Sequence, residues 1–413
     1  MAPGPQPRRP MKSGTPPACA GAGHRRKSNA MPDRRHACGR LPRRPYQTSP
    51  RLPARFRREV RSIHPGKKEG IAMKTMKAAT TSALLVLGLA CSWPSVAQEA
   101  SITLRYSNMF PSSDPLSIVA EDWGKEVEKR TEGAVRVKYY PASTLTPPSQ
   151  TYESVVKGVV DVGNALMGYS KGRFPLMAGL WENPFEYPDG LTSTRICNAA
   201  YDKFKPKELD NVKVMYFNAG PEAALLTVKK PLVALDDLKG LRIRSLDANA
   251  RILSFFGATT IAMPQPEVYD ALSKGMVDGV ASVYSNLKSF KTADILRYSL
   301  DVRGMAFTGM FVVAMNKDKW NSIPSKYQKI IEEINREWVG KHARAHDAVE
   351  EEGRRYAASR GITITRITPQ EQAKWNAKAQ VLYDDYVANT KQKGLPGEEL
   401  LQFVREQLKT APR

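Results

Sequence analysis

The sequence predicts an α/β protein of two domains that are connected by a long helix. The chain has 413 residues, more than one ordinary hydrophobic core organises. Between residues 101 and 310, short apolar runs alternate with amphipathic helical patterns, an order that favours parallel sheets covered by helices. A helical pattern then continues from Pro324 to about Arg360, which is long enough to bridge two domains.

Three strands separated by two helices are predicted at the start of this region. Val119, Trp123 and Val127 recur every fourth residue, which is typical of an amphipathic helix. The second strand alternates apolar with charged side chains, so one of its faces is expected to be buried. The predicted elements are the strands Ile102–Met109, Val135–Tyr140 and Val159–Met167 and the helices Pro115–Arg130 and Ser149–Lys157.

A similar alternation follows residue 210. Gly240, Gly257 and Gly275 each follow a helical pattern, where glycine commonly ends a helix. The predicted strands are Val212–Phe217, Ala224–Val228, Leu241–Arg244 and Val277–Ala281, and the predicted helices are Leu235–Lys239, Asn249–Phe256 and Pro266–Lys274. The buried stripe of the long helix comprises Tyr327, Ile330, Ile331, Ile334 and Trp338, and residues 370–409 read as polar helix.

The net charge of +22 is concentrated at the start of the chain. Before Gln98 there are 20 of the 63 Lys and Arg residues but only 3 of the 41 Asp and Glu residues. The remainder, with 43 basic and 38 acidic residues, is nearly balanced. Basic charge therefore does not indicate a nucleic-acid-binding protein.

A secretory signal is predicted over residues 73–97. Lys74 and Lys77 form a positive segment, residues 83–90 are apolar, and Ser95-Val96-Ala97 is a small-residue cleavage site before Gln98. Since such signals stand first in a chain, we expect translation to start at Met73 or Met76. Residues 1–72, rich in Pro and Arg, are then a disordered basic extension that is not translated, with a genuine basic arm as the alternative.

Beyond the signal, the chain is expected to be a periplasmic protein without a stable membrane insertion, because no second stretch approaches twenty apolar residues. Cys91 follows Leu89-Ala90 as in a lipoprotein box, but Gly88 stands where Leu is usual, so lipid anchoring is disfavoured. Cys197 is the sole cysteine after the leader, and we expect it to be a small buried residue.

Three sequence blocks follow one another closely in the second half of the chain. Residues 235–245 read LDDLKGLRIRS, Gly257-Ala258 is followed by Met263-Pro264 and by EVYDAL at 267–272, and residues 274–279 read KGMVDG. In this order they resemble the solute-binding receptors of tripartite ATP-independent periplasmic (TRAP) transporters, the DctP family. Weaker similarity extends over roughly residues 101–345. The resemblance implies a two-lobed periplasmic-binding-protein fold with a hinge, a long bridging helix and a ligand between the lobes.

This resemblance divides the chain into a series of segments. After the extension (1–72) and the signal peptide (73–97), residues 98–222 form the first part of lobe I and residues 223–308 form lobe II. Residues 309–350 return to lobe I and supply the bridging helix. Residues 351–413 are expected to be a helical part that packs on lobe II.

Arg244 is the strongest candidate for a ligand-binding residue. It ends a predicted strand, at the edge where open α/β sheets bind ligands, and the resemblance implies that it grips the ligand carboxylate. A guanidinium donates two parallel hydrogen bonds to a carboxylate and keeps its charge. Arg242 is left as a structural or exposed residue. Further candidates at strand ends or cleft loops are Ser282, Tyr284, Tyr169, Asn108, Phe110, Phe217 and Asn218.

One departure from the family pattern concerns the ligand. Many relatives carry a second arginine just before the chain crosses into lobe II, whereas Asn218–Ala224 contains none. A monocarboxylate is therefore favoured over a dicarboxylate or a sialic-acid-like ligand, and the aromatic candidates favour an apolar or aromatic acid.

His342 and His346 lie four residues apart and share a helix face. The intervening Ala-Arg-Ala lacks the Glu of a zinc-protease motif, so we expect a solvated helix face rather than a metal site.

The predicted function is capture of a small organic acid anion and its delivery to TRAP membrane subunits. No cofactor, metal or nucleic acid is expected. A receptor of the same fold that serves a sensor or another transporter is the alternative, and a secreted enzyme is disfavoured because no nucleophile elbow, P-loop or dinucleotide motif is present.

Overall fold

The computed structural model describes residues 101–411, without residue 182 and residues 306–308. The predicted extension, signal peptide and Cys91 lie outside the described residues. In this part of the chain no helix has the length and apolar character needed to cross a membrane.

Two β-sheets organise the described residues. The first has the order β2-β1-β3-β10-β4 and the second the order β11-β9-β5-β8-β6-β7. The strands of the first sheet are β1 (Ile102–Ser107), β2 (Val135–Tyr140), β3 (Val162–Leu166), β4 (Val212–Ala219) and β10 (Met310–Asn316). Those of the second are β5 (Ala224–Thr227), β6 (Arg242–Arg244), β7 (Thr259–Ile261), β8 (Gly279–Ser282), β9 (Tyr298–Asp301) and β11 (Thr363–Arg366).

Helices cover both sheets. The α-helices are α1 (Pro115–Arg130), α2 (Thr151–Val156), α3 (Met177–Trp181), α4 (Gly190–Phe204), α5 (Asp247–Phe255), α6 (Val268–Ser273), α7 (Ser285–Ser289), α8 (Lys317–Asn321), α9 (Ser325–Ser359), α10 (Pro369–Gln392) and α11 (Gly397–Thr410). Single 3₁₀ turns occupy 148–150, 167–169, 207–209, 235–238, 265–267 and 292–294. We call the first sheet with α1–α4 and α8 the first lobe, and the second sheet with α5–α7 the second lobe.

The predicted two-lobed α/β class is confirmed, but the sheets are mixed rather than parallel. β1 pairs in parallel with β2 and β3, whereas β10 runs antiparallel between β3 and β4. In the second sheet, β5 is antiparallel to β8 and β9. The direction of β10 reflects the return of the chain from the second lobe into the first. An apolar run is equally compatible with either direction, so the sequence pattern did not reveal it.

Local sequence accounts for the first helix. Asp114 Oδ1 accepts a hydrogen bond from the Leu116 N–H at 2.8 Å, and Pro115 occupies the first helical position. The predicted stripe is buried against α9, where Trp123 Nε1 donates to Asn335 Oδ1 at 2.9 Å. Trp338 Nε1 in turn donates to the Val119 carbonyl at 2.8 Å. These bonds fix α9 on the first lobe.

Helix α9 also reaches the second lobe. Both carboxylate oxygens of Glu350 accept hydrogen bonds at 3.0 Å from the backbone N–H groups of Tyr284 and Ser285, where α7 begins. One turn later, a Cβ added to Gly353 would lie 2.4 Å from the Tyr284 carbonyl carbon. Glycine therefore permits a backbone approach that no other residue allows. The bridging helix predicted from sequence is present over 35 residues.

The C-terminal helices contact both lobes rather than lobe II alone. Trp375 of α10 stacks on Phe256 of the second lobe with ring centroids 5.7 Å apart. Tyr386 Oη on the same helix donates to the Leu176 carbonyl of the first lobe at 3.0 Å. Phe403 of α11 packs edge-on against Phe204 of α4.

We expect Gly353→Ala to destabilise the protein by about 1–3 kcal/mol, because the new methyl group overlaps the α7 backbone. Gly340→Ala is a matched control on the same helix. Its Cβ meets only the mobile end of Arg344, and alanine favours helix by up to about 1 kcal/mol. The midpoint of urea unfolding measures both effects. Equal midpoints for the two variants would contradict the close-packing argument.

Candidate functional site

A small cavity lies between the two lobes, against α9. Apolar side chains form much of its wall, and polar or charged side chains interrupt them, namely those of Tyr169, Arg244, Gln265, Ser285, Asn286 and His346. Its lining residues are Met109, Phe110, Leu116, Leu166, Tyr169, Gly220, Pro221, Arg244, Gln265, Val283, Ser285, Asn286, Gly309, Phe311 and His346. Of the eight residues predicted from sequence, the structure brings Arg244, Tyr169 and Phe110 together here.

Arg244 is the charged centre of the cavity. It ends β6, the strand between β7 and β8, and only 2% of its surface is exposed. Its Nε and Nη2 donate to the Met263 carbonyl at 3.0 and 2.7 Å. Among the described residues, no carboxylate lies within ion-pair distance of it. Burial lowers the pKa of the guanidinium, while the Tyr169 oxygen and the Glu267 carboxylate oppose that shift, and an arginine remains charged after such a shift.

Arg242, two residues earlier, differs from Arg244 in its exposure and in its salt bridge. Its Nε and Nη2 bind Asp278 Oδ2 and Oδ1 at 3.0 and 2.7 Å, and its side chain is 43% exposed. The hydrogen bonds from Arg242 lower the pKa of the Asp278 carboxyl. One strand thus carries a surface arginine in a salt bridge and a buried arginine that forms no salt bridge with the described residues.

Aromatic rings form the apolar wall. Phe110 lies 5.7 Å from Phe311 and 6.4 Å from Phe290, measured between ring centroids. Phe110 follows β1, Phe311 belongs to β10 and Phe290 ends α7, so rings from both lobes meet. Sequence analysis missed Phe311 because β10 was not recognised as a strand. This wall suits an apolar or aromatic molecule.

Tyr169 connects the lobes directly beside Arg244. Its hydroxyl oxygen accepts a hydrogen bond at 2.8 Å from the backbone N–H of Gln265, which belongs to the second lobe. Burial raises the pKa of Tyr169, so the phenol is neutral. The lobes are therefore held together at the cavity rim by an uncharged hydrogen bond.

His346 and Asn218 form a polar pair at the opposite side. His346 Nε2 lies 3.0 Å from Asn218 Oδ1, and Asn218 Nδ2 donates to Asn164 Oδ1 at 3.2 Å. Asn218 is fully buried and does not line the cavity itself. It therefore acts on the cavity through the imidazole that it orients.

The expectation that His342 and His346 form a solvated face is wrong. His342 is fully buried and His346 is 5% exposed, because this face of α9 packs on β4 and around the cavity. Burial lowers the pKa of both rings, that of His346 to about 3. Within the described residues, no group of three or more His, Cys, Asp or Glu side chains could hold a metal ion. The prediction that Cys197 is a buried residue is confirmed.

Four further candidates lie outside the cavity lining. Asn108 Oδ1 accepts from the Phe110 N–H at 3.4 Å and so lies behind that ring. Ser282 Oγ accepts from Asn286 Nδ2 at 2.9 Å, and Asn286 is the residue that reaches the cavity. Both are therefore one layer removed from a bound molecule.

Tyr284 and Phe217 point into the lobes. The Tyr284 hydroxyl donates to Asp301 Oδ1 at 2.7 Å in the second lobe. Tyr284 follows the end of β8, so strand alternation from Ser282 does not extend to it. Phe217 alternates with Asn218 on β4 and faces Tyr201 of α4, with ring centroids 5.3 Å apart.

A larger, more open groove adjoins this cavity along α10. Its charged side chains include Arg251 and Asp385, which form an ion pair with each other. An exposed, internally paired arginine offers little to a ligand anion. We therefore place the candidate site at Arg244.

The buried histidines predict a specific pH dependence. Because the pKa of His346 falls from 6.5 to about 3 on folding, its contribution to stability is complete above pH 6.5 and is lost as the pH falls towards 3. We expect His346→Gln to reduce the loss of unfolding free energy between pH 7 and pH 5 by up to about 2 kcal/mol. Urea unfolding of both proteins at several pH values measures this. Parallel pH profiles would show that His346 is not buried in its neutral form.

Comparison with known proteins identifies the family. The model of bacterial extracellular solute-binding proteins of family 7, DctP, matches residues 106–390. A TRAP periplasmic solute-binding protein from Desulfovibrio salexigens is 30% identical, with a TM-score of 0.66 over 76% of this chain and 99% of that chain.

Two similar structures contain ligands. A TRAP solute-binding protein from Rhodoferax ferrireducens in complex with benzoate is 27% identical, with a TM-score of 0.70 over 75% of this chain and 98% of that one. A marine metagenome TRAP solute-binding protein specific for aromatic acids, in complex with 3-hydroxybenzoate, is 25% identical, with a TM-score of 0.72 over 76% and 99%. The chain belongs to family 7 of the bacterial extracellular solute-binding proteins, the DctP family.

Proposed function

We propose that this protein is the extracytoplasmic receptor of a TRAP transporter and that it captures a small aromatic monocarboxylate for a membrane permease. The observation that carries the proposal is the buried guanidinium of Arg244 in a cavity of aromatic walls. A buried charge without a partner is costly, and a bound carboxylate supplies the partner.

The charge of the ligand follows from the charge of the cavity. Arg244 is the one cationic side chain among the described residues of its lining, because burial keeps His346 neutral. A single guanidinium balances a single carboxylate. The absence of arginine from Asn218–Ala224 supports the same choice of a monocarboxylate over a dicarboxylate.

The walls favour an aromatic ring. Phe110 and Phe311 line the cavity, and Phe290 packs against Phe110. Their rings provide faces and edges to which an aromatic ring packs favourably. The two ligand-bound proteins of similar structure contain benzoate and 3-hydroxybenzoate. A benzoate-sized acid places its carboxylate on Arg244 and its ring among these side chains.

Catalysis does not form part of the proposal. His346 Nε2 contacts the Asn218 amide oxygen rather than a hydroxyl or a carboxylate, so the pair lacks the activated nucleophile of a hydrolase. The predicted signal peptide supports export, after which the receptor would meet the permease outside the cytoplasm.

Closure of the lobes around the ligand completes the mechanism. Ligand contacts from both lobes stabilise the closed form relative to the open form. The Tyr169–Gln265 hydrogen bond joins the first lobe to the second. The Glu350 hydrogen bonds join α9 to the start of α7 in the second lobe. The free energy of ligand binding thereby favours a closed conformation that membrane subunits can recognise.

We expect Arg244→Met to weaken binding of benzoate at least about 30-fold, because a buried carboxylate loses its partner. The unliganded variant should be as stable as wild type or more stable, since methionine removes an uncompensated buried charge at similar volume. Calorimetric titration and urea unfolding measure the two effects.

Arg242→Ala is the matched control on the same strand. It removes an arginine whose charge Asp278 already balances outside the cavity, so the dissociation constant should change less than about threefold. Wild-type protein that binds no aromatic or other monocarboxylate, or Arg244→Met protein that binds as tightly as wild type, would refute the proposed function.

Tyr169→Phe should raise the dissociation constant about three- to tenfold, because the closed form loses one neutral hydrogen bond between the lobes. Tyr152→Phe is the control. It removes an equivalent bond at 2.8 Å to Asn211 within the first lobe, away from the cavity. Small-angle scattering with saturating benzoate should show a less closed particle for Tyr169→Phe alone. Identical scattering for the two variants would argue against a role of the Tyr169–Gln265 hydrogen bond in closure.

A further inference from the structure

His346 presents a neutral ring to the cavity from α9. The ring is 5% exposed and packs against Phe311 and His342, with centroid distances of 5.9 and 5.6 Å. The mechanism above uses Arg244 and the aromatic walls but assigns this imidazole no task. The polar contact of His346 with Asn218 identifies which of its nitrogen atoms carries the proton.

The Asn218 amide fixes the tautomer. Asn218 Nδ2 donates to Asn164 Oδ1, which leaves Asn218 Oδ1 facing His346 Nε2 at 3.0 Å. A carbonyl oxygen only accepts, so Nε2 carries the proton. A neutral imidazole has one N–H, and Nδ1 is therefore an unprotonated acceptor. Burial, which lowers the pKa of this ring to about 3, keeps it neutral at physiological pH.

The acceptor nitrogen faces the cavity. A Cβ placed on Gly220 would lie 3.5 Å from His346 Nδ1 and 3.8 Å from Cε1, and both Gly220 and His346 line the cavity. No hydrogen bond from the described residues reaches Nδ1. Nδ1 therefore offers its lone pair to the cavity, where a hydroxyl group of a bound molecule can donate to it.

We propose that His346 Nδ1 accepts a hydrogen bond from a hydroxyl group of the acid whose carboxylate Arg244 holds, so that the receptor prefers hydroxylated aromatic acids to their parent acids. This inference rests on the proposed function, because it requires a carboxylate on Arg244. It assigns to His346 the role of a specificity-determining residue and to Asn218 the role of a positioning residue.

Wild-type protein tests the preference with matched acids. Calorimetric titrations use benzoate, 3- and 4-hydroxybenzoate and 3- and 4-methoxybenzoate, with phenylacetate and mandelate for a hydroxyl on the side chain. We expect one hydroxy acid to bind about three- to tenfold more tightly than its parent. The methoxy acids, which only accept, should show no gain. Equal affinities for all hydroxy and parent acids, or tighter binding of a methoxy acid, would overturn the inference.

Variants locate the preference. His346→Phe keeps an aromatic ring without an acceptor, and we expect it to bind the preferred hydroxy acid no more tightly than the parent. Asn218→Leu should reduce the same ratio, because Nε2 is no longer held protonated. A purely structural role would change both affinities together and leave the ratio intact, which would refute the assignment.

Nitrogen-15 NMR of histidine-labelled wild-type protein tests the tautomer directly, and His346→Gln assigns the signals. Nδ1 of His346 should be unprotonated in the free protein and shift with the preferred hydroxy acid but not with its parent. A protonated Nδ1 would overturn the inference.

The two proposals fail in distinguishable ways. Benzoate binding that Arg244→Met abolishes, together with a hydroxyl preference that His346→Phe leaves unchanged, refutes the histidine assignment and retains the receptor function. A wild-type protein that binds none of these acids refutes both.

Discussion

The buried charge of Arg244 is the constraint on which the site depends. Its side chain is removed from water at the end of β6, and Met263 offers only a carbonyl dipole in return. A protein carboxylate at this point would stabilise the fold, but it would also occupy the place of the ligand. Among the described residues this cation has no salt-bridge partner, and under the proposed function a bound anion supplies one, a common compromise between stability and function.

One face of α9 connects that site to the movement of the lobes. His342, His346, Val349, Glu350 and Gly353 follow one another at helical spacing and are all turned inward. His346 lines the cavity, Glu350 holds the start of α7, and Gly353 lets the helix touch the Tyr284 backbone. Within two turns, the helix therefore contacts both the cavity and the second lobe. A rigid element of this kind can connect ligand binding to closure.

Sequence reasoning succeeded where a signal is local. Helix α1 followed from an apolar stripe, and Arg244 followed from a family block that ends a strand. It failed where the structure depends on contacts between residues that are distant in the sequence. The Ala-Arg-Ala segment between His342 and His346 favoured a solvated face, although that face packs on β4 and around the cavity. The direction of β10, the inward orientation of Tyr284 and the role of Phe311 depend on chain crossings that no local pattern records.

The missing second arginine and the presence of His346 have one explanation. A second cation would attract a second carboxylate, whereas a neutral acceptor favours a hydroxyl group and repels a carboxylate through its lone pair. The cavity then distinguishes acids by two separate tests: Arg244 requires one negative charge, and His346 Nδ1 requires a donor. Because the cavity is small and apolar between these two points, the distance between carboxylate and hydroxyl becomes part of the recognition. Specificity here arises because the cavity has a neutral acceptor, His346 Nδ1, instead of a second cationic side chain.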